Sequence, residues 1–532
     1  MLNTPNKSML PKSMSFFFDK ENLISEVINT SKAIAFACTA QEPSYKDIFD
    51  GWLPHFYDPK KKNIKKRLKN WKFIKRRLLD LIIAESLYYE QKTGKVGGNS
   101  GKAYVGETTL KIRQQRLAHN QSLLDNMGII TSNGFVALSE LSTSAHSKFC
   151  ELYLMCLGME HMASDKGFRA VFITATAPPY LHPNPTKGKK KWNGKNAKVA
   201  HEYIKKRWGA FKRDLSRPQY NIKFSEGDAF GFRVVEPHKD GTPHWHLLMY
   251  ASLENIEGVI TELANKHFGF NQSKNAVKIE LIKTKEEDDN AAAPTTYMTK
   301  YLMKNVDYRE GVDGVQSNGE KIEDTEALEK IDAWKSALGV RTYQTFGILS
   351  AKTKWRTLRK LYNQLQSEFG NTFLQTKLLE KVQSSHKRLD KAKSNKWKDI
   401  YKKNMKWAFN RYCEIERNRT TKMVVEIDNN SSISLHEMMK LISTAQTRNK
   451  PNDKGQFSKF LRLLEKIESQ DHSIYVKESY ENAYGETSKR IVGVDLGCLK
   501  YKFVRYELQK KEQEVEKSSM NLMDIVTKNA PT

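Results

Sequence analysis

Between residues 61 and 92 the chain reads "KKNIKKRLKNWKFIKRRLLDLIIAESLYYEQK", with Ile64, Leu68, Trp71, Ile74, Leu78, Leu81 and Ile82 at spacings of mostly three and four. That spacing puts the apolar residues on one stripe of a 3.6-residue helix and leaves Lys and Arg on the other face. "YVGETTLKIRQQRLAHNQSLLDNMGIIT" predicts one or two more helices, and "SAHSKFCELYLMCLGMEHMASDKG" another that stops at Gly167. The period then changes. "FRAVFITATAPP" (168–179) alternates β-branched and small residues before a double proline, as a strand running into a loop does. "AKVAHEYIKKRWGAFKRDLSR" reads as an amphipathic helix with a basic outer face. "AFGFRVVE" and "HWHLLMYA" read as two strands around "PHKDGTP", where Asp240-Gly241 is a hairpin signal. "LENIEGVITELANKHFG" predicts a helix, "AVKIELIK" a strand, and "NAAAPTTYMTKYLMKNV" a helix opened by Pro294 and Thr295. The order β, α, β-β, α, β, α predicts an α+β fold, a mainly antiparallel sheet with flanking helices.

At 532 residues the chain exceeds one ordinary core, so about two to four domains are expected. Residues 1–60, of mixed polarity with several prolines, read as a poorly determined leader for which disorder is an open reading. A basic helical N-terminal region (61–165) precedes the mixed core (166–310), followed by a core-associated segment (311–375) that begins acidic and flexible. Residues 376–420 predict basic helices, and 421–532 form a C-terminal region of unassigned role with a strand at "RIVGVDL". The glycine-rich break "GKVGGNSGKA" after the first helix fails as a phosphate-binding loop. Val96 stands where the first glycine should be, Ala103 follows Lys102, and a helix rather than a strand precedes it. It reads as a flexible connection, and no ATPase motor motif is visible.

Charge narrows the partner. Lys and Arg number 89 against 61 Asp and Glu, a formal net charge of +28 spread along most of the chain. A polyanion is the expected partner, nucleic acid above all, because each neutralised phosphate releases counterions. The five cysteines, Cys38, Cys150, Cys156, Cys413 and Cys498, form no CxxC, which suggests neither a disulfide framework nor a zinc ribbon. No apolar stretch approaches a membrane span; "LLDLIIA" (78–84) is flanked by charge. The N-terminus shows no secretory leader. These features suggest an intracellular protein, with no membrane as partner.

Two constellations carry candidate chemistry. In a strand His244 and His246 point the same way and Trp245 the other, so both imidazoles reach one metal ion. The hairpin returns Glu236 beside them as a third ligand, with His238 and His182 as competitors for that place; such a set leaves coordination positions open for water or substrate. In "YMTKYLMKN", Tyr297 and Tyr301 lie four apart on a predicted helix with Lys300 and Lys304 three residues after each. Two phenols flanked by ammonium groups, on a basic protein with a candidate metal site, suit attack on a phosphodiester. A phenol at its reference pKa of about 10 needs such help. Lys300 and Lys304 would contact phosphate or assist the leaving oxygen, or else form a solvated helix edge. Trp192 in "KKKWNGK" would stack on an unpaired base with Lys189, Lys190 and Lys191 on the backbone, or else cover the sheet.

In order, "FITAT" (172–176), "GFRVVEPHKDGTPHWHLLMY" (231–250) and "YMTKYLMKN" (297–305) resemble the three motifs of HUH endonucleases. More closely they resemble the bacteriophage replication gene A protein family, as do "YVGETTLKIRQQRLAHNQSLL", "GVRTYQTFG" and "WRTLRKL", over roughly residues 70–370. The sequence departs from that pattern at Ala177 and Pro179, where a cysteine and a serine are expected, and at Lys239, where a histidine is. The resemblance implies an HUH core between basic arms and a rolling-circle initiator, an origin-specific single-strand endonuclease and ligase. It implies a divalent metal, magnesium or manganese, on His244 and His246, and Tyr297 and Tyr301 as nucleophiles forming a 5′-phosphotyrosine link with a free 3′-hydroxyl. Expected partners are single-stranded and nicked origin DNA and a host replicative helicase, in the bacterial cytoplasm. An HUH relaxase or transposase, or an inactive DNA-binding module, are the rival readings.

Overall fold

The computed structural model describes residues 14–40, 56, 63–131, 134–142, 144–269, 276–284, 286–306, 325–348, 353–360, 425–426, 460, 475–495, 500–503 and 508–510. The basic helices expected over 376–420 lie outside the described residues, as does most of the acidic stretch after 310. The chain forms two compact units. One comprises Met1–Tyr153, Ala163–Gly347 and Tyr506–Thr532, the other Leu154–Met162 and Ile348–Arg505.

The first unit is built on a five-stranded, wholly antiparallel sheet. Its strands are β1 (Arg169–Thr176), β2 (Ala229–Pro237), β3 (Pro243–Ala251), β4 (Val277–Leu281) and β5 (Tyr343–Phe346), in the order β4-β1-β3-β2-β5. This is the mixed helical and antiparallel α+β architecture expected. The hairpin turns at Gly241, whose φ of +78° suits a residue without a side chain. Strand β2 is buried along its whole length and β3 nearly so, because both faces of the sheet are covered.

One face takes helix Ala197–Leu215, capped by the Asn196 side chain on the Val199 amide and burying Ile204, Trp208, Phe211 and Leu215 at helical spacing. Its His201 lies against Trp245 of β3. The opposite face takes helix Pro294–Val306, with proline at its first position, where a missing amide costs nothing. A chain segment Leu253–Phe268, helical as expected but with one π turn at Ile256–Ile260, leads towards β4.

Several expectations need correction. The leader contains an 18-residue helix, Leu23–Ala40, that buries Leu23, Val27 and Ile34; its apolar residues recur at helical spacing, which the prolines around it masked. "MGIIT" is not helical but a strand, Met127–Thr131, paired with Gly134–Ala137 and with Gln509–Lys510, a partner hundreds of residues away that no local pattern announces. The edge strand β5 was not foreseen, since only its pairing with β2 defines it. The glycine-rich stretch, read as a flexible connection, is a folded loop bonded at both ends and to the sheet hairpin. In the second unit the strand expected at "RIVGVDL" forms Thr487–Asp495, in a sheet with Tyr475–Glu481, Lys500–Lys502 and Val425–Glu426. No helix among the described residues is long and apolar enough to cross a membrane.

Candidate active site

Register explains how the site assembles. In the sheet Glu236 faces His244, Val234 faces His246, and His246 faces Thr174 of β1. The alternation of strand side chains therefore puts Glu236, His244, His246, Thr174 and Phe172 on one face. The Nε2 atoms of His244 and His246 stand 2.8 Å apart, and His246 Nε2 is 3.8 Å from Glu236 Oε2. All three donor atoms lie within 4.8 Å of one another, the one such group of His, Cys, Asp and Glu found among the described residues.

That geometry fits a divalent cation. Donors about 2.1 Å from one ion are about 3.0 Å apart at a right angle and about 3.4 Å at the tetrahedral angle, so 2.8 and 3.8 Å bracket what one ion needs. Two imidazoles and a carboxylate suit zinc, manganese or iron and leave open positions. Thr174 Oγ1 lies 3.1 Å from His246 Nδ1. With Nδ1–H donating to that hydroxyl, the Nε2 lone pair is aimed at the cluster, the orienting role that partners of metal-binding histidines play.

The two competitors for the third place do not join. His182 has Nδ1 at 3.0 Å from Asp240 Oδ2 and Nε2 at 3.2 Å from the Ala177 carbonyl, so both ring nitrogens are engaged. His238 lies edge-on to His182 with ring centroids 5.1 Å apart, and its ring centroid is 4.2 Å from that of His244. Burial, with His244 and His182 beside it, holds its imidazole well below the usual histidine range and therefore neutral. Asp240 is pushed up by burial but held below the usual carboxylate range by the hydrogen bond and charge of His182 and by the Thr242 amide.

The tyrosine helix lies over this same face. The Tyr301 ring stacks on the His246 imidazole at 4.1 Å and 23°, and Phe172 stacks on both at 5.5–5.8 Å. Tyr297, one turn earlier, is 6.2 Å from Phe172 and 40% exposed, open to an approaching substrate. Lys300 and Lys304 belong to the helix, but their side chains lie outside the described residues. Trp192 is half-buried against Tyr88 of helix Trp71–Lys92, with ring centroids 6.0 Å apart. Its Nε1 donates to the Lys195 carbonyl and the Tyr88 hydroxyl to Gly194, so both pin the lysine-rich loop. Lys190 reaches Asn184 at 2.9 Å, while Lys189 and Lys191 stand exposed.

Thr174 was the residue that sequence reasoning missed at the site. It sits within "FITAT", but only the pairing of β1 with β3 puts its hydroxyl beside His246.

A sequence-family model of the bacteriophage replication gene A protein matches residues 12–309. The chain is similar to the replication protein of Haemophilus phage HP1, 34% identical over 217 residues, which are 40% of this chain and 26% of that protein. It is 30% identical over 218 residues to the replication gene A protein of Escherichia phage 186, covering 40% of this chain and 30% of that one. A probable replication endonuclease from a prophage-like region of Salmonella typhi is 30% identical over 247 residues, 43% of this chain and 28% of its own length. The matched stretches thus span under a third of each of these relatives. No solved structure matches the chain. With more than half of its length inside the family match, and the histidine hairpin and tyrosine helix both within it, the chain belongs to the bacteriophage replication gene A protein family.

Proposed function

We propose that this protein is a replication initiator of the HUH type, which nicks and rejoins single DNA strands at an origin through a 5′-phosphotyrosine. The observation that carries the reading is the stacking of Tyr301 on His246, at 4.1 Å, over a face that also presents Glu236, His244 and Tyr297. Relatives named as replication proteins, and one as a probable replication endonuclease, support it.

In this mechanism Glu236, His244 and His246 would hold the cation, with Thr174 fixing the orientation of His246. A divalent cation such as manganese, when bound there, would supply Lewis-acid polarisation of the scissile phosphate. The phenolic oxygen of one tyrosine attacks phosphorus and its proton leaves to solvent. A Tyr–O–P bond forms, the P–O3′ bond breaks, and the departing 3′ oxygen takes up a proton. Bond energy is kept in the phosphotyrosine, so a 3′-hydroxyl can later reverse the step and seal the strand. Two tyrosines provide two cuts, one to start a round and one at the regenerated origin. Lys300 and Lys304 act on phosphate or the leaving oxygen, and the lysine loop with Trp192 contacts the strand. The core of residues 166–310 does the chemistry, the basic stretches that flank it in the sequence grip DNA, and a host replicative helicase in the cytoplasm opens the duplex.

The test mixes the protein with single-stranded fragments of its source replicon, with and without manganese or magnesium. A metal-dependent covalent adduct on a denaturing gel, absent from Tyr297→Phe/Tyr301→Phe, is the expected result. Salt-sensitive binding without any adduct would leave a DNA-binding module instead.

A further inference from the structure

The glycine-rich loop between helices Trp71–Lys92 and Glu107–Asn126 is built to grip something. At its base the buried carboxylate of Glu90 accepts from the amides of Gly106 (2.8 Å), Thr108 (2.8 Å) and Thr109 (3.2 Å) and from the Thr109 hydroxyl (2.7 Å), closing the first turn of the next helix. Backbone bonds Lys95 N to Glu90 O, Lys102 N to Lys95 O and Gly97 N to Lys102 O, each 2.9 Å, fold it into a compact tongue.

The tongue meets the hairpin that carries the histidines. Gly97 lies so close that a Cβ there would be 2.6 Å from Asp240 Cβ and 2.6 Å from the Asn184 carbonyl. Gln91 donates to the Asp240 carbonyl at 2.9 Å, and Tyr104 N to the Lys239 carbonyl at 2.9 Å. Asn184 ties the tongue to the segment after β1 by donating to Gln91 O and Val96 O at 2.7 and 2.8 Å, and its carbonyl accepts from Gly98 N at 2.7 Å. Trp334 donates to the Gly241 carbonyl at 2.8 Å. Asp240 in turn holds His182, His182 packs on His238, and His238 on His244. An unbroken series of contacts thus runs from Gly97 to a candidate metal ligand.

We propose that this tongue is a positioning clamp: Gly97, Gln91 and Asn184 fix the hairpin turn at Asp240, and through His182 and His238 they fix the imidazole of His244. The helical region before residue 166 is then part of the metal centre, and a fragment that starts at the sheet lacks the clamp. The inference builds on the metal reading of the site, yet its mechanical claim stands apart from catalysis.

Two glycines in the tongue provide a matched test. Gly97 and Gly98 both have positive φ, +85° and +62°, so alanine strains the backbone at either, but a Cβ at Gly98 meets nothing within 4 Å. Full-length wild type, Gly97→Ala and Gly98→Ala are compared by amide hydrogen exchange over residues 236–246 and by titration with manganese followed by electron paramagnetic resonance. Gly97→Ala alone is expected to speed exchange in the hairpin and to weaken manganese binding about tenfold or more, the usual cost of disturbing a ligand's supports. Equal effects from both variants, or none from Gly97→Ala, overturn the clamp. Faster hairpin exchange in Gly97→Ala, with no manganese bound even by wild type, keeps the clamp and removes the metal reading.

Discussion

Strand β3 faces two environments, and its alternate residues show what separates a histidine that packs from one that is offered to a ligand. On one face Trp245 is fully buried, with the Arg233 guanidinium 3.9 Å over its ring and His201 accepting from its indole nitrogen at 3.4 Å. Burial, with Arg233 nearby, lowers the His201 imidazole to about 4, so it stays neutral, and burial lowers Arg233 to about 10. Arg233 also reaches Gln344 on β5. These contacts hold the Arg233 and His201 side chains within the core. On the other face His244 and His246 turn their Nε2 atoms to a shared point beside Glu236. On one face a histidine nitrogen takes up an indole donor; on the other, two histidine nitrogens converge beside a carboxylate.

The sharpest way to break this comparison is to truncate neighbouring residues of β3. His246→Ala should lower metal-dependent adduct formation on the order of 10³-fold, in the range seen when a transition-state electrostatic group is lost, with little change in Tm. Trp245→Ala should instead destabilise the fold by about 3–5 kcal/mol, read from denaturant unfolding. If both variants behaved as unfolding mutants, the two faces would not be separable.

A gentler change sharpens the site side. Thr174→Val keeps the shape of β1 but removes the hydroxyl beside His246 Nδ1. Manganese affinity, measured by calorimetry, should fall about 10- to 100-fold while the unfolding midpoint stays close to wild type. An unchanged affinity would leave Thr174 without an orienting role.

The smallest effect is a pH slope on the core side. The unfolded chain protonates His201 near pH 6.5, whereas the folded chain does so only near 4. Protons therefore favour unfolding across that window, and stability falls as pH falls from 6.5 to 4, by at most about 1.4 kcal/mol per pH unit from this group. His201→Gln should flatten the fall between pH 6.5 and 4, checked by thermal unfolding at several pH values. An identical slope in both proteins would assign the acid sensitivity elsewhere.

Much of this was legible in order along the chain. Local periodicity exposed the helix Ala197–Leu215, the Asp240-Gly241 hairpin and the tyrosine helix, since each depends on neighbours within a few residues. The side on which His244 and His246 point followed from strand alternation alone, and the return of Glu236 from the hairpin. Strand β5, the pairing of Met127–Thr131 with Gln509–Lys510, and the helix inside the leader were less legible. An edge strand of four residues carries too little pattern of its own, and pairing across hundreds of residues leaves no local trace.

By itself the sequence determined a basic chain with an α+β core, two histidines on one strand face and two tyrosines on one helical stripe. Those properties follow from backbone geometry that every strand and helix shares. Only the tertiary structure decided that the tyrosine stripe faces the histidines, that His182 and His238 stay out of the donor cluster, and that Trp192 staples a loop. It also decided that "GKVGGNSGKA" closes on Asp240 instead of swinging free. Each of these outcomes turns on which surfaces pack together, a choice made by burial and hydrogen-bond satisfaction among residues far apart in the chain.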